Sequence, residues 1–159
     1  FPTRRSSDLI DVDIQVSAAE IGNRTESRTL IRVRGFDRNA MKIELDDTLH
    51  NINENKKNIT RIKQHLQVYG SSYQLTSEQI ETYNKLKNEY AQIKEIIKEL
   101  EYKVRSLNEY LKTPGEGAVI AKTRIYPKVR VEIKNQYEEI LKSEPMITYY
   151  SKDNELKTM

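Results

Sequence analysis

The sequence contains no cysteine in its 159 residues, which excludes disulfide bonds and thiolate metal sites. This absence is typical of a cytoplasmic protein. The longest apolar runs, such as "AVIA", extend over only a few residues, so we expect no membrane insertion. Mean hydropathy is −0.78 and 32% of the residues are charged, a composition typical of long exposed helices.

Histidine is also scarce, because His50 and His65 are the only two in the sequence. Fifteen residues along one helix separate them by about 22 Å, too far to share a metal ion or to act on one substrate. The acidic pair Asp11 and Asp13 lacks further oxygen ligands at any recognised spacing. No Ser/His/Asp or Cys/His arrangement can be assembled either. We therefore predict a protein that is not an enzyme, with no catalytic, cofactor-binding or metal-binding residues.

Charge is nearly balanced, with 27 basic and 24 acidic residues and a net charge of +3. This balance does not by itself indicate a nucleic-acid or anionic-membrane partner. Because lysine and arginine are abundant and helical hairpins can grip RNA, a helical arm that binds nucleic acid is the alternative function. Stretches such as "KEIIKELEYK" count against it, since lysines interleaved with glutamates are typical of a solvated helix face.

The first nine residues, "FPTRRSSDL", carry two adjacent arginines and two serines. As protein sequence they suggest a short basic arm or the start of a transit peptide. The same residues are also the translation of a common short-read sequencing adapter, whose last codon encodes leucine whatever its third base. We therefore expect residues 1–9 to be adapter read-through, disordered and packed on nothing, ahead of the C-terminal fragment of a larger protein.

Strand patterns flank a helical centre. From Ile10 to Val16 apolar and polar residues alternate, which predicts a strand with one buried face, and "TLIRVRG" predicts another before Gly35. After Thr113, "GAVIAKTRIYPKVRVEI", "NQYEEIL", "MITYY" and "NELKTM" predict further short strands. We expect strands over 10–36 and again over 113–159.

Two long helices are predicted between these zones. Asp37 can cap the first helix, and Thr76 with Gln79 forms a capping box for the second. Apolar residues recur at helical spacing on both sides of a short loop, which predicts an antiparallel coiled-coil hairpin over 37–112 with helices at about 38–69 and 77–112. The predicted seam consists of Leu45, Leu49, Ile52, Ile59 and Leu66 in the first helix and Leu86, Tyr90, Ile93, Ile97, Leu100, Val104, Leu107 and Leu111 in the second.

Lys56 and Lys63 fall where apolar seam residues are expected in the first helix. Their aliphatic stems can lie along the edge of the seam while the ammonium groups reach water. Alternatively, these lysines lower the stability of the hairpin.

Two segments on either side of the predicted hairpin resemble the C-terminal region of the flagellar assembly protein A (FapA) family, a large bacterial family. They are "AAEIGNRTESRTLIRVRG" and "GAVIAKTRIYPKVRVEIKN", in the order and spacing of that family. A family motif like "IGSR" closes the last coils of a right-handed parallel β-helix, and one like "IYPGV" returns to it after the helices. The resemblance places these motifs on Ile21, Gly22 and Arg24 and on Ile125, Tyr126, Pro127 and Val129.

The resemblance implies an α+β fold in which the coiled-coil hairpin is inserted between strands that form the end of a right-handed parallel β-helix or solenoid, with its last coils in 10–36. It also implies a cytoplasmic structural or protein-interaction module, without cofactors, that is linked to flagellar assembly or cell-pole organisation. A phosphotransferase-system component is among the protein partners implied. The chain itself is a further candidate partner, because apolar positions such as Ile43, Ile96 and Tyr110 remain on the helical arm and could associate.

The chain departs from the family pattern at Lys128 and Lys134, where the family often has glycine. A turn that requires positive φ is disfavoured at these two positions, since lysine there carries a steric cost that glycine does not. A turn that forms nonetheless would indicate that glycine is a preference rather than a requirement.

Overall fold

The computed structural model describes residues 8–70 and 74–159. The chain divides into two compact units: the β unit, from Phe1–Met41 and Glu109–Met159, and the helix unit, Lys42–Asn108. Most of the segment expected to be disordered, residues 1–7, lies outside the described residues. For the other two residues of that segment the expectation was wrong, because Asp8 and Leu9 begin the first strand and pair with Thr29 and Leu30.

The strands of the β unit form two four-stranded sheets. In the first sheet β1 is parallel to β3 and β3 to β5, and β6 pairs antiparallel with β5. In the second sheet β2 is parallel to β4, whereas β7 and β8 add antiparallel. The bounds are β1 (Asp8–Val12), β2 (Gln15–Ile21), β3 (Thr29–Val33), β4 (Ala118–Ile125), β5 (Val129–Ile133), β6 (Gln136–Glu139), β7 (Glu144–Lys152) and β8 (Glu155–Thr158).

The core of the β unit comes from the alternating apolar residues of both sheets. In the first sheet Ile31 lies beside Val131 and Val33 beside Ile133, and all four are fully buried. The second sheet contributes inward residues that are at most 4% exposed, namely Ile21, Val119, Ala121, Ile125 and Tyr149. Since successive side chains of a strand point to opposite faces, the period-two pattern in the sequence defines this core.

The predicted end of a right-handed parallel β-helix or solenoid was wrong. The described strands form two open, mixed sheets, and three of their pairings are antiparallel. Two-residue turns reverse the chain between β5 and β6 and between β7 and β8, with positive φ at Lys134, Asp153 and Asn154. Apolar alternation predicts which face of a strand is buried but not whether its neighbour is parallel, so this part of the prediction had no support from periodicity.

The helix unit is built from α1 (Arg38–Gly70) and α2 (Ser77–Leu111). The predicted caps are confirmed: the Ala40 amide donates to Asp37 Oδ1 at 3.0 Å, and Thr76 and Gln79 each accept a hydrogen bond from the other's backbone amide. Contacts of Glu44 with Lys103, of Lys56 with Glu101 and of Tyr69 with Tyr83 place the helices side by side and antiparallel.

A long coiled-coil hairpin is not shown as such. Of the predicted seam residues, Ile52 and Leu107 are buried, most others are half-buried, and Leu49 is 42% exposed. Thr48 is buried instead, with its hydroxyl donating to the Glu44 carbonyl at 2.7 Å. The less exposed face of α1 keeps regular steps of four and three residues by including two polar side chains, in the order Met41, Leu45, Thr48, Ile52, Asn55, Ile59, Ile62, Leu66 and Tyr69.

Candidate interaction surface

The structure brings most of the family-motif residues together at one corner of the β unit. Ile21 and Ile125 lie side by side at the ends of β2 and β4, and the Tyr126 amide donates to the Ile21 carbonyl at 2.9 Å. Gly22 has a φ of +82°, and a Cβ there would lie 2.7 Å from the Val129 side chain. These contacts give the motif residues a packing role, since a larger residue at position 22 would clash with β5.

Arg24 and Pro127 lie on the outer side of this corner. The pKa of Arg24 is raised above its ordinary value. The largest cause is the hydrogen bond between the Arg24 guanidinium and the Tyr126 side chain, and electrostatic interactions with Tyr126 and Glu20 add to it. Arg24 is fully exposed, whereas Tyr126 is 8% exposed. The motif therefore places one fixed positive charge at the surface of the corner and buries its aromatic partner.

Both lysines that replace the family's glycines adopt positive φ, with values of 63° at Lys128 and 57° at Lys134. The turns form despite the side chains, so glycine is a preference at these positions and not a requirement. Lys134 also makes an ion pair with Glu116, whose carboxylate lies 2.6 Å from its ammonium nitrogen.

Arg38 forms a clasp that the sequence-based reasoning missed. Its guanidinium donates to the backbone carbonyls of Leu111, at 3.1 Å, and of Thr113 and Gly115, while also lying 5.6 Å from the ring centroid of Phe36. The carbonyls at the end of a helix lack partners within the helix and carry partial negative charge, so a cation is favourable there. The signal in the sequence was an arginine in the first turn of α1, where the dipole of its own helix disfavours positive charge.

The exposed side of α1 carries a sequence of charges with an apolar residue at each end. We call this surface the outer α1 face, and its members all lie within about 40° of one line along the helix. Ile43 is 62% and Val68 69% exposed at its two ends. A shallow groove lined by residues from His50 to Thr60 runs along one flank of the face. The face consists of Ile43, Asp47, His50, Glu54, Lys57, Arg61, His65 and Val68.

Other large apolar side chains of the helix unit are also exposed, with Ile80 at 47%, Ile96 at 43% and Tyr102 at 68%. Several lysines are neutralised within the unit, because Lys56 pairs with Glu101, Lys57 with Glu54 and Lys103 with Glu44. Surface ion pairs of this kind contribute little to stability. The unit therefore presents apolar anchors among neutralised charges.

The β unit contains a cavity of about 140 Å³ between β1, β2 and β3, beside Ile10, which is 40% exposed. Its lining contains no histidine, cysteine or lysine. Among residues 8–70 and 74–159, no cluster of three or more histidine or acidic side chains is placed to hold a metal ion. Within that same range, neither helix has the length and apolar character needed to cross a membrane.

The model of one protein family, the Flagellar Assembly Protein A beta solenoid domain, matches residues 6–156. Comparisons with curated proteins and with solved structures gave no match. The matched range covers nearly the whole chain and includes both motif segments together with α1 and α2. The predicted resemblance is confirmed, and the chain belongs to the flagellar assembly protein A family.

Proposed function

We propose that the chain is a non-enzymatic structural and protein-interaction module that acts in flagellar assembly or cell-pole organisation in the cytoplasm. Family membership supports the connection with flagellar assembly. The exposed apolar residues of the helix unit are the observation that carries the interaction role, since large apolar side chains on a polar surface are typical of sites that bind other proteins. In this proposal protein partners bind along the helices of the helix unit.

The proposed partners are proteins, with a phosphotransferase-system component as one candidate that the family resemblance implies. Nucleic acid is not the favoured partner. Lys56, Lys57 and Lys103 already have carboxylate partners within the helix unit, and such neutralised lysines contribute little to the attraction of a phosphate backbone. Binding to RNA or DNA at low salt that falls steeply with added salt would contradict this part of the proposal.

The structure defines the deletion that tests the proposal. Replacing Lys42–Asn108 with a short Gly/Ser linker removes the helix unit but keeps Arg38 and the carbonyls of Leu111, Thr113 and Gly115 that it binds. The full chain and this variant would serve as bait in cells, with captured proteins identified by mass spectrometry. We expect flagellar or cell-pole proteins to be captured by the full chain and lost with the variant.

A second variant tests whether binding depends on the exposed apolar residues or only on the presence of the helices. The triple variant I80S/I96S/Y102S removes exposed apolar groups and leaves the half-buried face of α2 intact. Its far-UV circular dichroism should match the wild type, while capture should fall. Equal capture by the wild type, the deletion variant and the triple variant would rule out the helix unit as the binding surface.

A further inference from the structure

We infer that the outer α1 face binds the same face of a second copy of this chain, antiparallel, about a two-fold axis between Asn55 and Lys56. This inference deepens the proposed function and rests on it, because it names one partner of the helix unit. Two observations carry it: the order of the charges along the outer α1 face and the exposed apolar residue at each end of the face.

The charges of the outer α1 face change sign at the proposed axis. Asp47 and Glu54 lie before it, and Lys57 and Arg61 follow it. Arg38 and Lys42 also precede the axis in α1, but they lie off this face. The helix dipole does not account for this order, since its effect is confined to the first and last turns. The ion pairs with α2 use Glu44 and Lys56, which lie off this face. A second helix in the opposite direction would place the acidic half of the face against the basic half.

The position of the two-fold axis determines which residues of the two outer α1 faces lie opposite each other. It brings Glu54 of one copy opposite Lys57 of the other, and Arg61 opposite His50, one turn from both Asp47 and Glu54. Within the described chain neither Asp47 nor Arg61 has an ion-pair partner, so both side chains are available. Each of these contacts occurs twice in the dimer, as a two-fold interface requires.

The apolar ends of the face match under the same axis. Ile43 of one copy lies opposite Val68 of the other, and these two side chains are 62% and 69% exposed in the single chain. One rotation therefore pairs the charges and covers the apolar ends.

Charge variants test the inference through mixing. E54K and K57E each place like charges opposite one another at both symmetric sites, so each variant of the full chain should dimerise about tenfold or more weakly than the wild type. An equimolar mixture of E54K and K57E should form a heterodimer, because each chain then supplies the charge that the other needs. The double variant E54K/K57E, with both charges exchanged, should dimerise like the wild type.

Sedimentation equilibrium at low and high salt gives the masses, and circular dichroism checks that each variant keeps its helices. Both single variants also lose the intrahelical pair of Glu54 with Lys57, and this loss cannot produce a heterodimer on mixing. A monomeric wild type, or a dimer that persists in E54K and K57E, would overturn the inference.

Cross-linking then reports the direction of the helices, and the absence of native cysteine makes it unambiguous. A mixture of I43C and V68C chains should form a mixed disulfide, whereas I43C alone should not, because its two thiols would be about 37 Å apart. Cross-linking of I43C with itself would overturn the antiparallel arrangement. A monomeric wild type that still captures flagellar proteins would leave the proposed function intact, so the two failures are distinguishable.

Discussion

Substitution of Arg38 tests whether the clasp stabilises the β unit. Its guanidinium donates to the carbonyls of Leu111, Thr113 and Gly115, and the Gly115 carbonyl accepts from both Nε–H, at 2.9 Å, and Nη2–H, at 2.5 Å. A hydrogen bond to a charged group contributes about 1.5–3 kcal/mol, but bonds that share one side chain are not additive. We therefore expect Arg38→Ala to lower the free energy of unfolding by about 2–4 kcal/mol. Arg38→Lys keeps the charge and loses the planar fork, so about 1–2 kcal/mol should be lost.

The matched control is Arg34→Ala in the same unit. Arg34 has carboxylate oxygens of Asp11 and Asp13 within 3.5 and 3.0 Å, but its side chain is 65% exposed. Exposed ion pairs contribute about 0–1 kcal/mol, so this variant should remain close to the wild type. Urea-induced unfolding, monitored by tyrosine fluorescence and far-UV circular dichroism, gives the free energies of unfolding of Arg38→Ala, Arg38→Lys and Arg34→Ala relative to the wild type. A loss below about 0.5 kcal/mol for Arg38→Ala, or equal losses for Arg34→Ala and Arg38→Ala, would refute the reasoning.

Four further substitutions test other parts of the β unit. Ser151 is 1% exposed and its hydroxyl has no hydrogen-bond partner within the described chain, so Ser151→Ala should raise the free energy of unfolding by about 1 kcal/mol in urea titrations; a decrease would indicate an unseen partner. Lys128→Gly relieves a positive φ at an exposed position and should raise the free energy of unfolding by about 0.5–1 kcal/mol. Lys134→Gly also removes the ion pair with Glu116, so its free energy of unfolding should rise by less. A larger gain for Lys134→Gly than for Lys128→Gly would contradict this account. Burial, followed by the charges of Glu138 and Glu144, raises the pKa of Tyr149 to about 12 from 10.0. Above pH 10 the unfolded chain releases a proton that the folded chain keeps, so stability should fall between about pH 10 and 12, and Tyr149→Phe should remove about 1.4 kcal/mol of that loss at pH 11.

The helices could be predicted from the sequence because their signals are local. Asp37, Thr76 and Gln79 specify helix starts through hydrogen bonds within one turn, and the structure contains these bonds. The buried face of α1 was harder to predict. The prediction considered only apolar residues and therefore placed Leu49 in the seam. Regular steps of four and three residues require Thr48, whose hydroxyl is satisfied by the carbonyl one turn earlier and so can be buried.

Sheet pairing and the clasp could not be predicted because they join residues that are far apart in the chain. Apolar alternation in β3 and β5 predicts two strands with one buried face each, and the structure pairs them across about a hundred residues. Alternation says nothing about the direction of β6, β7 or β8. Arg38 likewise gave only an indirect signal, since its partners are backbone carbonyls and any residue type can supply these.

The family motifs predicted a set of residues that pack together, and Lys128 shows what holds their turn. Its amide donates to the Ile140 carbonyl at 2.9 Å, and its own carbonyl accepts from the Thr29 amide at 3.2 Å. The Lys134 amide donates to the Val33 carbonyl at 2.8 Å in the same manner. Hydrogen bonds to neighbouring strands therefore fix the positive φ that glycine would otherwise make easy, because a residue stays in a sparsely populated conformation where its surroundings determine it. Glycine at these positions would lower the cost of the turn, but the hydrogen bonds to neighbouring strands hold the turn with lysine in place.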